Sequence, residues 1–443
     1  MGKHRYDSVV RDTRRRLWAV VVPAGLGIIT LYAAIVAWPR LAVPAITVIL
    51  AGTAYCLVEL HSWWLQKNGV RLLAGAVIFL SVGCTAASTD LVAAIPQKAV
   101  TISTASPDYT AKDKAAIAVL MEAYHQSGPS AGRWGTSWWT TATTMLSVVE
   151  YESTTGDRSY LSDIANTWTA DRRYLNQDEL LHAPDFANHY ADDSGWWELV
   201  WIHAYQLTGN PRYLETAEQL NGFLSGFWDS YCGGGLRWGM TVISRGYEKN
   251  SITNSIYFEA NAELYEITHQ VEYRDRAQQT WQWIVTSGLI RSDGVLVDHL
   301  DSRCQPTGPV WSYNQGPALD GLVALTRATH DARYLSEAQT LADGSTDNVR
   351  LNPGGVLRDV CQPANCTEDA DAFPGRYVGP LGMLNAALPH HPYADYITHQ
   401  VDSMVRFDQL RGSIYGACWD GSNLTPSVTH QASAVALLTA ALP

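Results

Sequence analysis

Two adjacent carboxylates, Asp192 and Asp193, stand inside the run His189-Tyr190-Ala191-Asp192-Asp193-Ser194-Gly195-Trp196-Trp197. Cleaving a glycosidic bond with retention needs two carboxyl groups about 5 Å apart, one attacking the anomeric carbon and one protonating the leaving oxygen. Adjacent residues with diverging side chains at a helix entrance can reach that separation. A helix N-terminus favours one ionised carboxylate, and its charge raises the proton affinity of the other, which would divide the two roles. Read alone, an Asp-Asp pair before a helix is more often a cap with a solvated neighbour. The surrounding residues decide between the two readings.

Three other segments ahead of helical stretches share this composition: Arg133-Trp134-Gly135-Thr136-Ser137-Trp138-Trp139, Glu248-Lys249-Asn250-Ser251-Ile252-Thr253-Asn254 and Trp311-Ser312-Tyr313-Asn314-Gln315-Gly316. Aromatic planes such as Trp138, Trp139 and Trp196 stack on the apolar faces of pyranose rings, and amides match sugar hydroxyls as donors and acceptors. Metal chemistry finds no comparable pattern. No CxxC or His-x-x-x-His spacing is present, and the acidic runs Asp343 to Asp347 and Glu368 to Asp371 read as solvated loops rather than calcium sites. Neither a metal nor a cofactor is expected.

The elements that must position these loops repeat. Thr155, Thr208, Thr268 and Thr329 each precede a tyrosine by five residues, Tyr160, Tyr213, Tyr273 and Tyr334. Apolar residues at helical spacing lie on both sides of each copy, so every unit reads as a helical hairpin. Gly156 and Gly209 suit left-handed caps, Asp157 and Asn210 suit N-caps, and Pro211 suits a first helical position. The predicted hairpins are 138–152 with 158–174, 195–208 with 211–227, 252–267 with 272–287, 316–328 with 332–343, and 377–388 with 393–407. A last helix, 427–441, lacks a partner after it, and the first, 113–126, lacks one before it. Pairing these two closes a ring of six hairpins, an all-α (α/α)6 toroid, against the alternative of an open array that binds protein.

The ordered motifs Asp192-Asp193-Ser194-Gly195-Trp196-Trp197, Ala204-Tyr205-Gln206-Leu207-Thr208-Gly209-Asn210, Cys232-Gly233-Gly234-Gly235-Leu236-Arg237-Trp238, Lys249-Asn250-Ser251-Ile252-Thr253-Asn254 and Tyr313-Asn314-Gln315-Gly316 resemble glycoside hydrolase family 76, the endo-α-1,6-mannanases and their fungal cell-wall relatives. The resemblance covers about residues 110 to 440. It implies an (α/α)6 fold and retaining hydrolysis of α-1,6-mannosidic linkages, with Asp192 as nucleophile and Asp193 as acid/base. It also implies that Lys249, Asn250, Asn254, Tyr313, Asn314 and Gln315 line the groove for an α-1,6-linked mannan or manno-oligosaccharide. Segment 345–375 has no counterpart in the family pattern. A transglycosidase using the same covalent intermediate, and a glycan-binding toroid without turnover, stay open as alternatives.

Charge and hydropathy divide the 443 residues. Residues 1 to 88 carry a balance of +6, and the remainder carries −18. So acidic a portion repels nucleic acid and anionic lipid. Three uncharged runs, Leu17 to Trp38, Leu41 to Val58 and Leu72 to Thr89, have about the length of transmembrane helices. Basic residues before the first run and between the second and third predict a membrane region at 1–89 anchored in a lipid bilayer, a linker at 90–110, and an extracellular domain at 111–443. The competing reading makes the third run a cleaved signal peptide. Five cysteines fall in the exported part, where at most two disulfides can form, and Cys361 with Cys366 is the only locally plausible pair.

Overall fold

In the computed structural model the described residues are 108–172, 183–240, 246–364 and 366–442, so the three apolar runs and nearly all of the expected linker lie outside them. Among the described residues no helix is long and apolar enough to cross a membrane.

Twelve α-helices appear among these residues. They are α1 Tyr109–Glu122, α2 Trp138–Thr155, α3 Leu161–Asp171, α4 Ala191–Thr208, α5 Pro211–Ser225 and α6 Ser251–Thr268, followed by α7 Val271–Ser287, α8 Gly316–Thr329, α9 Ala332–Thr346, α10 Gly375–Ala387, α11 Ala394–Ser403 and α12 Val428–Ala440. The even-numbered helices touch their even-numbered neighbours in order, and α12 packs back on α2, so they form a closed inner ring. The odd-numbered helices lie outside. The inner helices are buried on nearly every face, as in α4, where 11 of 18 residues are buried; outer helices bury a single stripe, as with Tyr273, Ala277, Trp281 and Ile284 of α7. The toroid expected from the repeat is therefore the observed fold.

The repeated threonine explains the hairpin turn. Thr155, Thr208, Thr268 and Thr329 are the last residues of α2, α4, α6 and α8, and each hydroxyl donates to the carbonyl four residues back. Each hydroxyl also accepts from the amide two residues on. The residue between is left-handed: Gly156, Gly209, His269 and His330 have φ of 74°, 67°, 58° and 59°. Asn210 and Asp331 then cap the outer helix from the side chain. Asp157 does not cap as expected. It bonds Ser159, and α3 starts later, at Leu161.

Closure is specific. Gln431 Nε2 on α12 donates to the Ala116 carbonyl of α1 at 2.9 Å, and Thr439 Oγ1 donates to Asp113 Oδ2 at 3.0 Å. Helix α1 begins four residues earlier than expected, because Asp108 accepts the Ala111 amide and caps it. A small antiparallel sheet, β1 Lys249–Asn250, β2 His299–Leu300 and β3 Pro306–Thr307, joins two of the loops that enter inner helices. Among the described residues two disulfides are present, the expected Cys361–Cys366 and also Cys232–Cys304, and Cys418 is free and buried.

Candidate active site

The inner helices run parallel, so their N-termini and preceding loops surround one mouth of the ring. A cavity of about 540 Å³ opens there. Asp192 and Asp193 lie in it, inside the first turn of α4 rather than before it, with Tyr190 as the capping residue. Helix α4 therefore begins four residues before the expected start at 195. Backbone pairing of Ala191 N with the Trp238 carbonyl, 2.8 Å, and of Met240 N with the His189 carbonyl, 2.9 Å, fixes that start.

The two carboxylates sit in different hydrogen-bond settings. Asp192 accepts the Trp238 indole N–H at 2.9 Å on Oδ2 and the Asp193 amide at 3.1 Å on Oδ1. Asp193 accepts the Asn188 side-chain amide at 2.7 Å. Asn188 is itself held by Ser194 and the Tyr190 amide. Burial raises the Asp192 carboxyl to about 7, opposed by the Trp238 hydrogen bond. The Asp193 carboxyl is pushed well above its ordinary range, by burial first and by the Asp192 charge second. Of the pair, Asp193 holds its proton and Asp192 gives its proton up first.

Gly195 lets this turn approach α6: a Cβ there would meet Ile256 Cγ2 at 2.6 Å. Around the pair stand Trp139, Trp196, Asn250 and Tyr313, all of which line the cavity. Tyr313 stacks on Phe373 at 3.8 Å between centroids, and Trp139 Nε1 donates to Asp369 at 2.9 Å.

Five expected ligands do not line the cavity, which corrects the sequence reading. Trp138 packs against Trp197 in the core at 5.5 Å. Lys249 is fully buried and donates to Asp229 and the Gly235 carbonyl, tying down the loop that carries Trp238; burial lowers its ammonium. Asn254 holds both backbone groups of Leu236, and Gln315 holds both backbone groups of Leu296 and the Trp311 carbonyl. Asn314 is fully buried, and neither amide atom meets a partner among the described residues. Asn254 and Gln315 brace the loops instead of reaching into the cavity.

Other lining residues were not expected. Tyr190, Trp238, Glu248 and Trp311 belong to the quoted motifs, and their aromatic or acidic character was the available signal. Asp298 had no signal. Asp369, Ala370 and Phe373 come from the segment without a family counterpart, so its acidic run lines the site instead of being a solvated loop. That segment is anchored by Asp359, which accepts the Ser312 amide and hydroxyl, both at 2.7 Å. The cavity is thus ringed by five carboxylates and seven aromatic residues, and among the described residues no lysine, arginine or histidine lines it.

The sequence pattern of glycosyl hydrolase family 76 matches residues 109–442, the whole ring. The chain belongs to glycosyl hydrolase family 76. Within it, the chain is 28% identical to the mannan endo-1,6-alpha-mannosidase DCW1 of Saccharomyces cerevisiae, over 45% of this chain and 47% of that protein. It is 27% identical to the protein of the same name from Candida albicans, over 52% and 53% of the two chains. The chain spans about half the length of these curated relatives. An inactive variant of the alpha-1,6-mannanase of a Salegentibacter species, with two aspartates replaced by alanine and alpha-1,6-mannotetrose bound, shares the fold at a TM-score of 0.65 and 21% identity, covering 75% of this chain and 98% of that one. Dfg5 from Chaetomium thermophilum, in complex with glucosamine, gives a TM-score of 0.67 at 20% identity, over 76% and 91% of the two chains.

Proposed function

We propose that this family 76 chain is a retaining glycoside hydrolase that cleaves α-1,6-mannosidic linkages of mannan or cell-envelope mannose glycans. The observation that carries the reading is the unequal support of Asp192 and Asp193 at one mouth of the ring. Asp192, held by two donors, attacks the anomeric carbon. Asp193, which keeps its proton, gives it to the departing oxygen and then takes one from water. Trp139, Trp196, Trp311 and Tyr313 offer ring faces for mannose residues, and a cavity lined by no cationic side chain among the described residues suits a neutral glycan. The names of the yeast relatives and the tetrasaccharide bound by the Salegentibacter enzyme support the linkage.

Incubation of the full chain with α-1,6-linked manno-oligosaccharides, followed by NMR of the first product formed, tests this. The expected product is the α-anomer. A β-anomer would overturn retention, absence of cleavage would overturn the activity, and products longer than the substrate would assign chain transfer. Asp192→Ala should lose cleavage and regain it with azide, giving a mannosyl azide of inverted configuration.

We further propose that the ring faces the outside of the cell on a membrane-anchored segment, with the lipid bilayer as partner of the N-terminal apolar runs. The Cys232–Cys304 and Cys361–Cys366 disulfides support an oxidising compartment. A reporter fused after Pro443 should be active only outside the cytoplasm.

A further inference from the structure

Residues of all six inner helices enclose a second cavity, of about 210 Å³, toward the end of the ring opposite the carboxylate pair. Glu150 of α2, His203 of α4, Glu263 of α6 and Asp320 of α8 line it. Glu259 lies one turn before Glu263, on the same face of α6. Ligand atoms of His203, Glu259 and Glu263 all lie within 4.8 Å of one another. His203 is eleven residues beyond Asp192 on one helix, about 16 Å along it, so this cluster is separate from the catalytic pair.

The charges there do not balance. Arg376 pairs with Glu150, Nη1 to Oε1 at 3.0 Å and Nη2 to Oε2 at 3.1 Å. Arg327 is engaged bidentately by Glu266, at 2.7 and 2.8 Å. His203 Nε2 meets Glu263 Oε1 at 3.2 Å. That leaves Glu259, 3% exposed, and Asp320, 9% exposed, without an ion-pair partner among the described residues. Independently, Oε2 of Glu263, a residue 4% exposed, has no hydrogen-bond partner. A buried carboxylate oxygen without a donor, next to a histidine and a second carboxylate, is an arrangement completed by a cation.

We propose that His203, Glu259 and Glu263 bind one divalent first-row transition cation, zinc or manganese, which cross-links α4 to α6 on the axis of the ring. One imidazole nitrogen with carboxylate oxygens suits these ions, whereas calcium takes an all-oxygen set. The ion replaces the His203–Glu263 hydrogen bond with two coordinate bonds, gives Glu263 Oε2 a partner and offsets the excess of negative charge. Binding takes place on neutral imidazole and ionised carboxylates, so any proton on His203, Glu259 or Glu263 is released to solvent. The adjoining cavity supplies the route by which a hydrated ion arrives. Its role is to hold the ring, not to act on the glycan.

The test uses the purified full chain, stripped with a chelator and dialysed against Zn²⁺ or Mn²⁺ chloride. Elemental analysis should find one ion per chain, and the melting temperature should rise with the ion and fall with chelator. Glu259→Gln and Glu263→Gln should each weaken retention at least about tenfold and abolish the melting response. Glu259→Gln also replaces a buried carboxyl group by a neutral side chain of the same shape, so its metal-free melting temperature should equal or exceed that of the stripped parent, separating ligand loss from misfolding. The proposal is overturned if the stripped parent takes up neither ion, or if both variants hold the ion as tightly as the parent. The parent measurement stands even where a variant fails to fold.

Discussion

Asp192 and Asp193 are neighbours on one helical turn, yet only Asp192 is given an indole donor. Trp238→Phe keeps the ring and removes that N–H, leaving the Asp192 carboxylate one donor short. A hydrogen bond to a charged group contributes about 1.5–3 kcal/mol, so kcat at neutral pH should fall about 10- to 100-fold. In the parent, cleavage should rise with pH as Asp192 ionises near 7 and fall at higher pH as Asp193 loses its proton, because the proposed roles need Asp192 ionised and Asp193 protonated. The rising limb should move to higher pH in Trp238→Phe, since the donor it lacks had favoured the charged form. An unmoved rising limb, measured by pH–rate profiles on an α-1,6-mannoside, would remove Trp238 from the account. Asn188 serves Asp193 in turn. Asn188→Ala should bring the falling limb of the same profile to higher pH, because the Asn188 amide opposes the rise in the Asp193 carboxyl.

At the scale of elements, side-chain amides do the same task at three entrances of the ring. Asn254 at the start of α6, Gln315 ahead of α8 and Gln431 of α12 each accept one backbone amide and donate to backbone carbonyls of a preceding or facing loop. Gln315→Ala strands the Leu296 amide and carbonyl in the core, at about 1–3 kcal/mol for an unsatisfied group. It should lower the melting temperature and raise KM, because Asp298 and Trp311 hang from the same strap, while leaving the pH profile in place. Gly195→Ala acts on packing: its Cβ would stand 2.6 Å from Ile256 Cγ2, and overpacking of this kind destabilises by about 1–3 kcal/mol, read by denaturant unfolding. These elements also show what a sequence makes legible. The Thr-to-Tyr repeat exposed the hairpins and the ring because the turn is built from atoms within a few residues, the Thr hydroxyl and the left-handed residue after it. The carboxylate pair was legible because it is contiguous. Which amide reaches the cavity was not, since Asn254 and Asn250 have the same chemistry and both bond backbone, and only Asn250, the cap of α6, also lines the cavity. Asp298 and Asp369 reach the cavity through tertiary packing of loops far apart in sequence, and no local pattern marks them.

Across the whole molecule, buried carboxyl groups set the response to pH. Burial raises Asp113, Asp171 and Asp408 to about 7 and Glu198 to about 8. An unfolded chain releases these protons near 4, so between about pH 4 and 8 the folded state binds more protons than the unfolded one. Stability then falls as pH rises through that window, by about 1.4 kcal/mol per pH unit for each proton held. Calorimetry should find a higher melting temperature at pH 5.5 than at pH 8; the reverse order would mean that these groups are ionised and paired in solution.

The Gln431 and Thr439 contacts place the end of α12 against the start of α1, at the mouth where every other inner helix turns into its outer partner. These two helices are thus a sixth hairpin with its turn left out. Topologically the ring has no first unit, and the gap between α12 and α1 is equivalent to any of the five hairpin turns. A circular permutant of residues 108–442, with α12 joined to α1 through a Thr-Gly-Asn turn and reopened between Gly209 and Asn210, should keep the helical circular dichroism of the parent ring.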